Sequence, residues 1–215
     1  EDIQVLMVIH PKEITDQAQF AIDQFVLRGG KLIALLDAKS LIDRPQDGNP
    51  MSAMMGGGPS NLEKLLKAWG IKFETTQVAA DLMFSREVSF QRNAPAQPAP
   101  ALLFLNQDAV NQEDVVTSQM DNLLLPFAGT FSGTPGEGLT QTILLHTSTR
   151  SQLVDPMEAQ FSGQKIVDSF KASDTEYTLA TRLQGKFKTA FPEGKPKAAA
   201  AGDEAVELLS EGIHP

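Results

Sequence analysis

The chain opens on an almost unbroken apolar run, Ile3 to Ile9 (IQVLMVI), rich in branched residues, the pattern of a strand buried on both faces of a parallel sheet. From residue 14 the period changes. Ile14, Ala18, Ala21, Ile22, Phe25 and Val26 recur on one face of a helix that Thr15 can cap, with Asp16 in its first turn and Arg28 in its last. Lys31 to Leu36 then returns to a strand pattern, and strand, helix and strand within about 35 residues predict a right-handed βαβ crossover.

The Gly29–Gly30 pair lies inside this unit. A phosphate-binding glycine turn follows a strand and precedes a helix, where backbone N–H groups converge on the anion. Here the order is reversed, and carbonyls point out of a negative dipole end. The pair therefore reads as a joint.

Beyond it, residues 43–59 form a long connection of turn formers around Met51, Met54 and Met55, either a plain excursion or an adaptable apolar contact for a partner. Ser60 and Glu63 have capping-box spacing before Leu62, Leu65, Leu66 and Trp69, which line one face of a second helix ended by Gly70. Residues 71–78 predict a short strand and 93–100 a proline-rich loop. Residues 101–105, 123–131, 141–148 and 177–185 read as further strands, with Pro126 marking an edge or bulge and several pairings antiparallel. From Pro192 the composition becomes that of a linker, so the chain divides into an α/β domain over 1–191 and a tail over 192–215.

Composition narrows the functional classes. In 215 residues, 41% hydrophobic and 21% charged side chains are ordinary globular usage. The net charge of −9 opposes a nucleic-acid surface. The absence of cysteine removes thiolate nucleophiles, disulfides and Cys-ligated metals. His10, His146 and His214 have no metal-ligand spacing, and no G-x-S-x-G, Walker or G-x-G-x-x-G sequence occurs. No cofactor is expected. No apolar run is long enough to span a bilayer.

His10 and Asp37 both fall at the carboxyl end of a predicted parallel strand, where open α/β sheets place ligands. They either line a ligand crevice or satisfy loop N–H groups. Arg150, just past a strand, is a third crevice candidate for an anion, or a solvated surface residue. In GKFKTAF, Phe187 and Phe191 are either inward residues of a strand or, if exposed, contact residues.

Several stretches in series, VLMVIHPKEITDQAQFAIDQFVLRGGKLIALLD, NLEKLLKAWGIKF, NLLLPFAGTF, HTSTRSQLV and YTLATRLQGKFKTAFPEGKP, resemble the soluble extracytoplasmic domain of the gliding-motility-type (Gld-type G component) auxiliary component of ABC transporters. The resemblance implies a three-layer flavodoxin-like, glutamine-amidotransferase-like core with a mainly parallel sheet and some antiparallel strands. It implies a periplasmic domain anchored by transmembrane helices outside this sequence, with permease and ATPase subunits as partners. Similar members carry strands before the position of Ile3 and another after the linker; with the abrupt start, this points to a truncated fragment, whose open sheet edge predicts a homo-oligomer. Amidotransferases of that fold use a cysteine nucleophile, which is missing here, so a non-catalytic contact module is expected, with a small-molecule or sugar-binding domain as the alternative.

Overall fold

A computed structural model describes residues 3–43, 57–89, 95–197 and 211–214. Its first unit is the expected one: β1 (Val5–Ile9), α1 (Asp16–Leu27) and β2 (Lys31–Leu35), with β1 and β2 parallel and Val5 facing Lys31, Met7 facing Ile33 and Ile9 facing Leu35. The Thr15 hydroxyl accepts the Ala18 N–H at 3.2 Å. Gly29 takes φ +95°, the left-handed conformation that ends a helix, and a Cβ on Gly30 would stand 2.3 Å from the Phe25 ring. Each glycine thus has its own reason, and both belong to the joint.

The other described α-helices and strands are α2 (Glu63–Ala68), β3 (Ile71–Phe73), β4 (Val78–Asp81), β5 (Arg86–Val88), β6 (Gln97–Ala99), β7 (Leu102–Leu105), β8 (Leu123–Pro126), β9 (Phe131–Gly133), β10 (Leu139–His146), β11 (Ser151–Val154), α3 (Pro156–Phe161), α4 (Gly163–Asp168), β12 (Thr178–Lys188) and β13 (Glu211–His214). The expected mainly parallel, three-layer flavodoxin-like or amidotransferase-like core is not what they build. Among the described residues β1–β2 is the only parallel pair. The largest sheet runs β10-β12-β9-β3 with β13 on β12, all antiparallel, and β11–β4, β5–β6 and β7–β8 are separate antiparallel pairs. An apolar run such as ALLFL fits a buried parallel strand or a hairpin strand equally well; the connection decides. Among the described helices only α1, at 12 residues, spans a parallel crossover, whereas α2, α3 and α4 have six residues each.

Burial also differs from expectation. Leu6, Val8, Leu32 and Ala34 of the β1–β2 pair pack against the cluster that holds Ile22 and Val26 of α1, but the alternate positions face outward, with Val5 52%, Met7 55%, Ile9 65%, Ile33 44% and Leu35 50% exposed. Among the described residues the pair is covered on one face only. Three local boundaries move as well. The expected strand over 123–131 breaks at Phe127, which has φ +50°; the proline-rich segment contributes β6; and β12 continues through Phe187. A strand after the linker, which the sequence was expected to lack, is present as β13.

The core has two parts. One gathers Leu62, Leu65, Trp69, Phe73, Val78, Phe127 and Ile166 beneath α1, and the other gathers Phe84, Leu103, Leu105, Leu145 and Leu179. Asp23, fully buried on α1, joins the helix to the chain leaving β12: its carboxylate accepts the Thr189 hydroxyl at 2.6 Å, the Ala190 N–H at 2.9 Å and the Gln24 amide at 3.2 Å. Asp81, also fully buried, accepts the N–H groups of Met83, Phe84 and Ser148 and the Ser148 hydroxyl, tying β4 to the turn after β10. Asp23→Ala removes the buried acceptor that these three donors share and should lower unfolding free energy by about 2–4 kcal/mol. Urea titration checks this, and a loss within about 0.5 kcal/mol, as for an ordinary surface change, would show that the tie is not needed.

Candidate functional site

The β1–β2 ladder continues one residue past β1, where the His10 N–H donates to the Leu35 carbonyl at 2.9 Å. His10 itself takes φ +49°, a left-handed conformation uncommon for non-glycine residues, although histidine, like asparagine and aspartate, adopts it more often than most. This bend turns its ring toward β2, where Nδ1 lies 2.6 Å from Asp37 Oδ2. A carboxylate only accepts, so Nδ1 carries the proton in this bond. His10 Nε2 is buried without a hydrogen-bond partner; it stands 3.5 Å from Asp43 Oδ2, an electrostatic contact too long for a good hydrogen bond.

Asp37 is fixed from three sides. Its N–H donates to Ser60 Oγ at 2.9 Å and its carbonyl accepts the Ser60 N–H at 2.8 Å. Ser60 therefore does not form the expected capping box: α2 begins after Leu62, without a side-chain cap, and the hydroxyl staples Asp37 instead. Asp43 accepts Lys12 Nζ at 2.7 Å, and this bond holds the Asp43 carboxyl below the usual aspartate range while raising Lys12 above the usual lysine value. The Ser40 hydroxyl accepts the N–H groups of Ile42 and Asp43 and so shapes the 40–43 turn. Lys39, only 6% exposed, has its Nζ 3.7 Å from Met157 Sδ, and burial lowers its pKa against the opposing pull of Asp155.

The result is an alternating row, Asp37, His10, Asp43 and Lys12, across the carboxyl ends of β1 and β2. The His10–Asp37 half has the geometry by which a carboxylate orients an imidazole base, but the free Nε2 faces another carboxylate rather than a hydroxyl. As arranged, the row can bind a small polar group or hold the 37–43 segment in place; no described contact gives it a nucleophile.

Of the sequence candidates, His10 and Asp37 are brought into contact, and Arg150 is not. Arg150 directly precedes β11, its N–H donating to Ser148 Oγ and its carbonyl accepting the Leu82 N–H. The opposite end of β11 leads to Asp155, beside Lys39. Phe187 is buried edge-on to Trp69 at 5.0 Å, so it is an inward residue of β12. Phe191 is half-buried, edge-on to Phe20 and beneath Lys64. Met51, Met54 and Met55 lie outside the described residues. Lys12, Asp43 and Ser60 were missed: they gain meaning only when the loops after β1 and β2 fold over each other.

A second feature escaped the sequence. In the 111–121 loop, Val115 is 88% and Val116 55% exposed, yet the loop is firmly anchored. Asp114, buried, accepts the Val116 N–H at 2.9 Å and pairs with Arg182 through both terminal guanidinium nitrogens, at 3.0 and 2.7 Å. The Thr117 hydroxyl donates to the Asn111 carbonyl at 2.7 Å. The Val116 N–H first, and Arg182 after it, hold the Asp114 carboxyl below its usual range. A depressed carboxylate pKa stabilises the fold above the ordinary aspartate value and loses that effect as pH falls through the folded value, so the anchor is intact at neutral pH. A pocket of about 240 Å³, lined by Asn111, Ile143, His146, Glu176 and Thr178, opens where this loop meets β10 and β12.

Among the described residues no helix is long and apolar enough to cross a membrane, and no group of three or more His, Asp or Glu could hold a metal ion. The fold and these two features define a mixed α and β domain with a charged row at its parallel strand ends and an anchored loop beside β10 and β12. A family model described as an ABC-type uncharacterized transport system matches residues 1–211, and the chain belongs to that family, an auxiliary component of ABC-type transport systems. A comparison with curated proteins gives no match.

The left-handed bend at His10 has a measurable consequence. Glycine normally costs a helix or strand about 0.5–1 kcal/mol relative to alanine, whereas at φ +49° alanine keeps the strain that glycine relieves. His10→Gly should therefore be at least as stable as His10→Ala in thermal unfolding. If alanine were the more stable by the usual margin, the bend would not survive loss of the ring.

Proposed function

We propose that this chain is a non-catalytic accessory domain of an ABC-type transport system of gliding-motility type, placed on the extracytoplasmic face and acting by contact with the permease or its cargo. Family membership supports the transport setting. The observation that carries the contact reading is the 111–121 loop: two adjacent valines held out in solvent by the pairing of buried Asp114 with the partly exposed Arg182. An apolar pair on a mobile loop would be unremarkable, but a loop ordered by four hydrogen bonds to Asp114, Arg182 and Asn111 presents a pre-organised surface, which lowers the entropic cost of docking. The Val115→Asp, Val116→Asp double variant of the full-length protein should keep its unfolding temperature and lose co-purification with the permease by at least about tenfold, as expected for a contact worth more than about 1.4 kcal/mol. Undiminished recovery of the permease would remove the loop from the interface.

One observation favours a second reading, a small polar ligand at the strand ends. His10 is strained, and its buried Nε2 lacks a hydrogen-bond partner that a ligand could supply. A thermal-shift screen with sugars, nucleotides and amino acids tests it. A ligand at about 100 times its dissociation constant should add about 2.7 kcal/mol, and His10→Ala should abolish the shift; a shift that persists in that variant places the ligand elsewhere.

A further inference from the structure

The outward face of β1–β2 is anomalous. Ile3, Val5, Met7, Ile9, Ile33 and Leu35 are between 44% and 70% exposed, and the parallel register sets Met7 beside Ile33 and Ile9 beside Leu35, so five of them form a contiguous apolar surface with Ile3 extending it along β1. Parallel sheets are covered on both faces in nearly every fold, because their strands carry no polar alternation to meet water. These side chains leave roughly 600 Å² of apolar surface uncovered, at the top of what monomers tolerate and most of the ~800 Å² per partner in a stable complex.

We propose that this face is a self-association surface, on which a second copy of the chain stacks its own β1–β2 pair face to face. Two observations select a second copy. The first is area: the patch alone approaches the size that a stable dimer needs. The second is charge, which also selects the orientation. Lys31, exposed, stands at the amino end of β2, while Asp37, 41% exposed at its side chain, and Asp43 stand past the carboxyl end. If a two-fold axis ran along the strands, β1 would lie over β2 with both lysines at one end and both Asp37 carboxylates at the other. An axis across the strands in the plane of the sheets reverses their direction and brings Lys31 of each copy toward Asp37 of the other. The same axis sets β1 over β1 and β2 over β2, with Met7 and Ile33, the middle residues of their strands, near their own symmetry mates.

This differs from pairing through a sheet edge, where only one strand of each copy lies at the axis. It is also independent of the loop that carries the contact reading. The absence of native cysteine makes the distinction measurable. Sedimentation of the 215-residue chain at about 100 μM should give a dimer. Met7→Glu and Ile33→Glu should each return it to monomer and still unfold cooperatively, losing only the concentration-dependent part of the unfolding temperature that dimerisation supplies, since both side chains are already half in water. Lys31→Glu should weaken association about fivefold to tenfold. Under mild oxidation Met7→Cys and Ile33→Cys should each give a disulfide-linked dimer, while Lys171→Cys, on an exposed segment, should not. A monomer at that concentration would overturn the proposal, since the face would then serve another partner or segment. A dimer insensitive to both glutamate variants, or cross-linking of only one of the two cysteine variants, would also overturn it, in favour of edge pairing. Loss of permease contact in the Val115 and Val116 variant leaves this result untouched, so the two readings fail separately.

Discussion

The parallel ladder between Val5–Ile9 and Lys31–Leu35 is the constraint on which the rest of the structure depends. Because the strands run in the same direction with Ile9 opposite Leu35, the chain leaves both at the same end, and the residues that follow them must share that corner. His10 reaches Asp37 for this reason rather than through any local motif. The ladder also decides the two faces. Successive side chains in a pleated strand point opposite ways, so a register that sends Leu6, Val8, Leu32 and Ala34 to α1 necessarily sends Val5, Met7, Ile9, Ile33 and Leu35 outward.

This separation shows what the sequence could and could not reveal. The βαβ unit was legible because its signals are local: a helical period in residues 14–26, a cap at Thr15, a left-handed glycine at Gly29 and a crossover of suitable length. The proximity of His10 and Asp37 was legible because it follows from topology. The cover on the sheet was not legible, since IQVLMVI reads as buried on both faces whether or not anything lies on the second one. The antiparallel remainder was obscure for a related reason. Strands of three to five residues carry too few positions to distinguish period two from a continuous run, and their pairing partners lie far away, as in β3 with β9 and β4 with β11.

Ser60 illustrates a third kind of failure. S-x-x-E is a genuine capping signature, and Glu63 does stand in the first turn of α2. The hydroxyl is nevertheless claimed by Asp37 N–H, a bond between residues 23 apart. Two acceptable local partners existed, and tertiary structure chose the one that also engages the Ser60 N–H with the Asp37 carbonyl. That reciprocal pair fixes the backbone on which the carboxylate stands, and the carboxylate orients the imidazole. A site read as two residues in sequence is thus held by a third residue whose apparent role was elsewhere.

The apolar face, the strand-end row and the anchored loop make different demands on the same domain. The row is built from charges whose partners are already present, so its energy changes little unless a ligand replaces a contact, and an ion pair at half-exposed positions contributes modestly by itself. The loop is rigid but small. The face is large and has no polar group to satisfy, so burying it is favourable with almost any apolar counterpart, and only the charges at its two ends discriminate among them. Lys31 and Asp37 therefore carry the specificity, while Met7 and Ile33 carry the affinity. Since Asp37 also orients His10, occupation of the face and the state of the strand-end row meet in a single carboxylate: a cation brought beside Asp37 competes with His10 for its lone pairs, and any change in that carboxylate's charge reaches the ring 2.6 Å away.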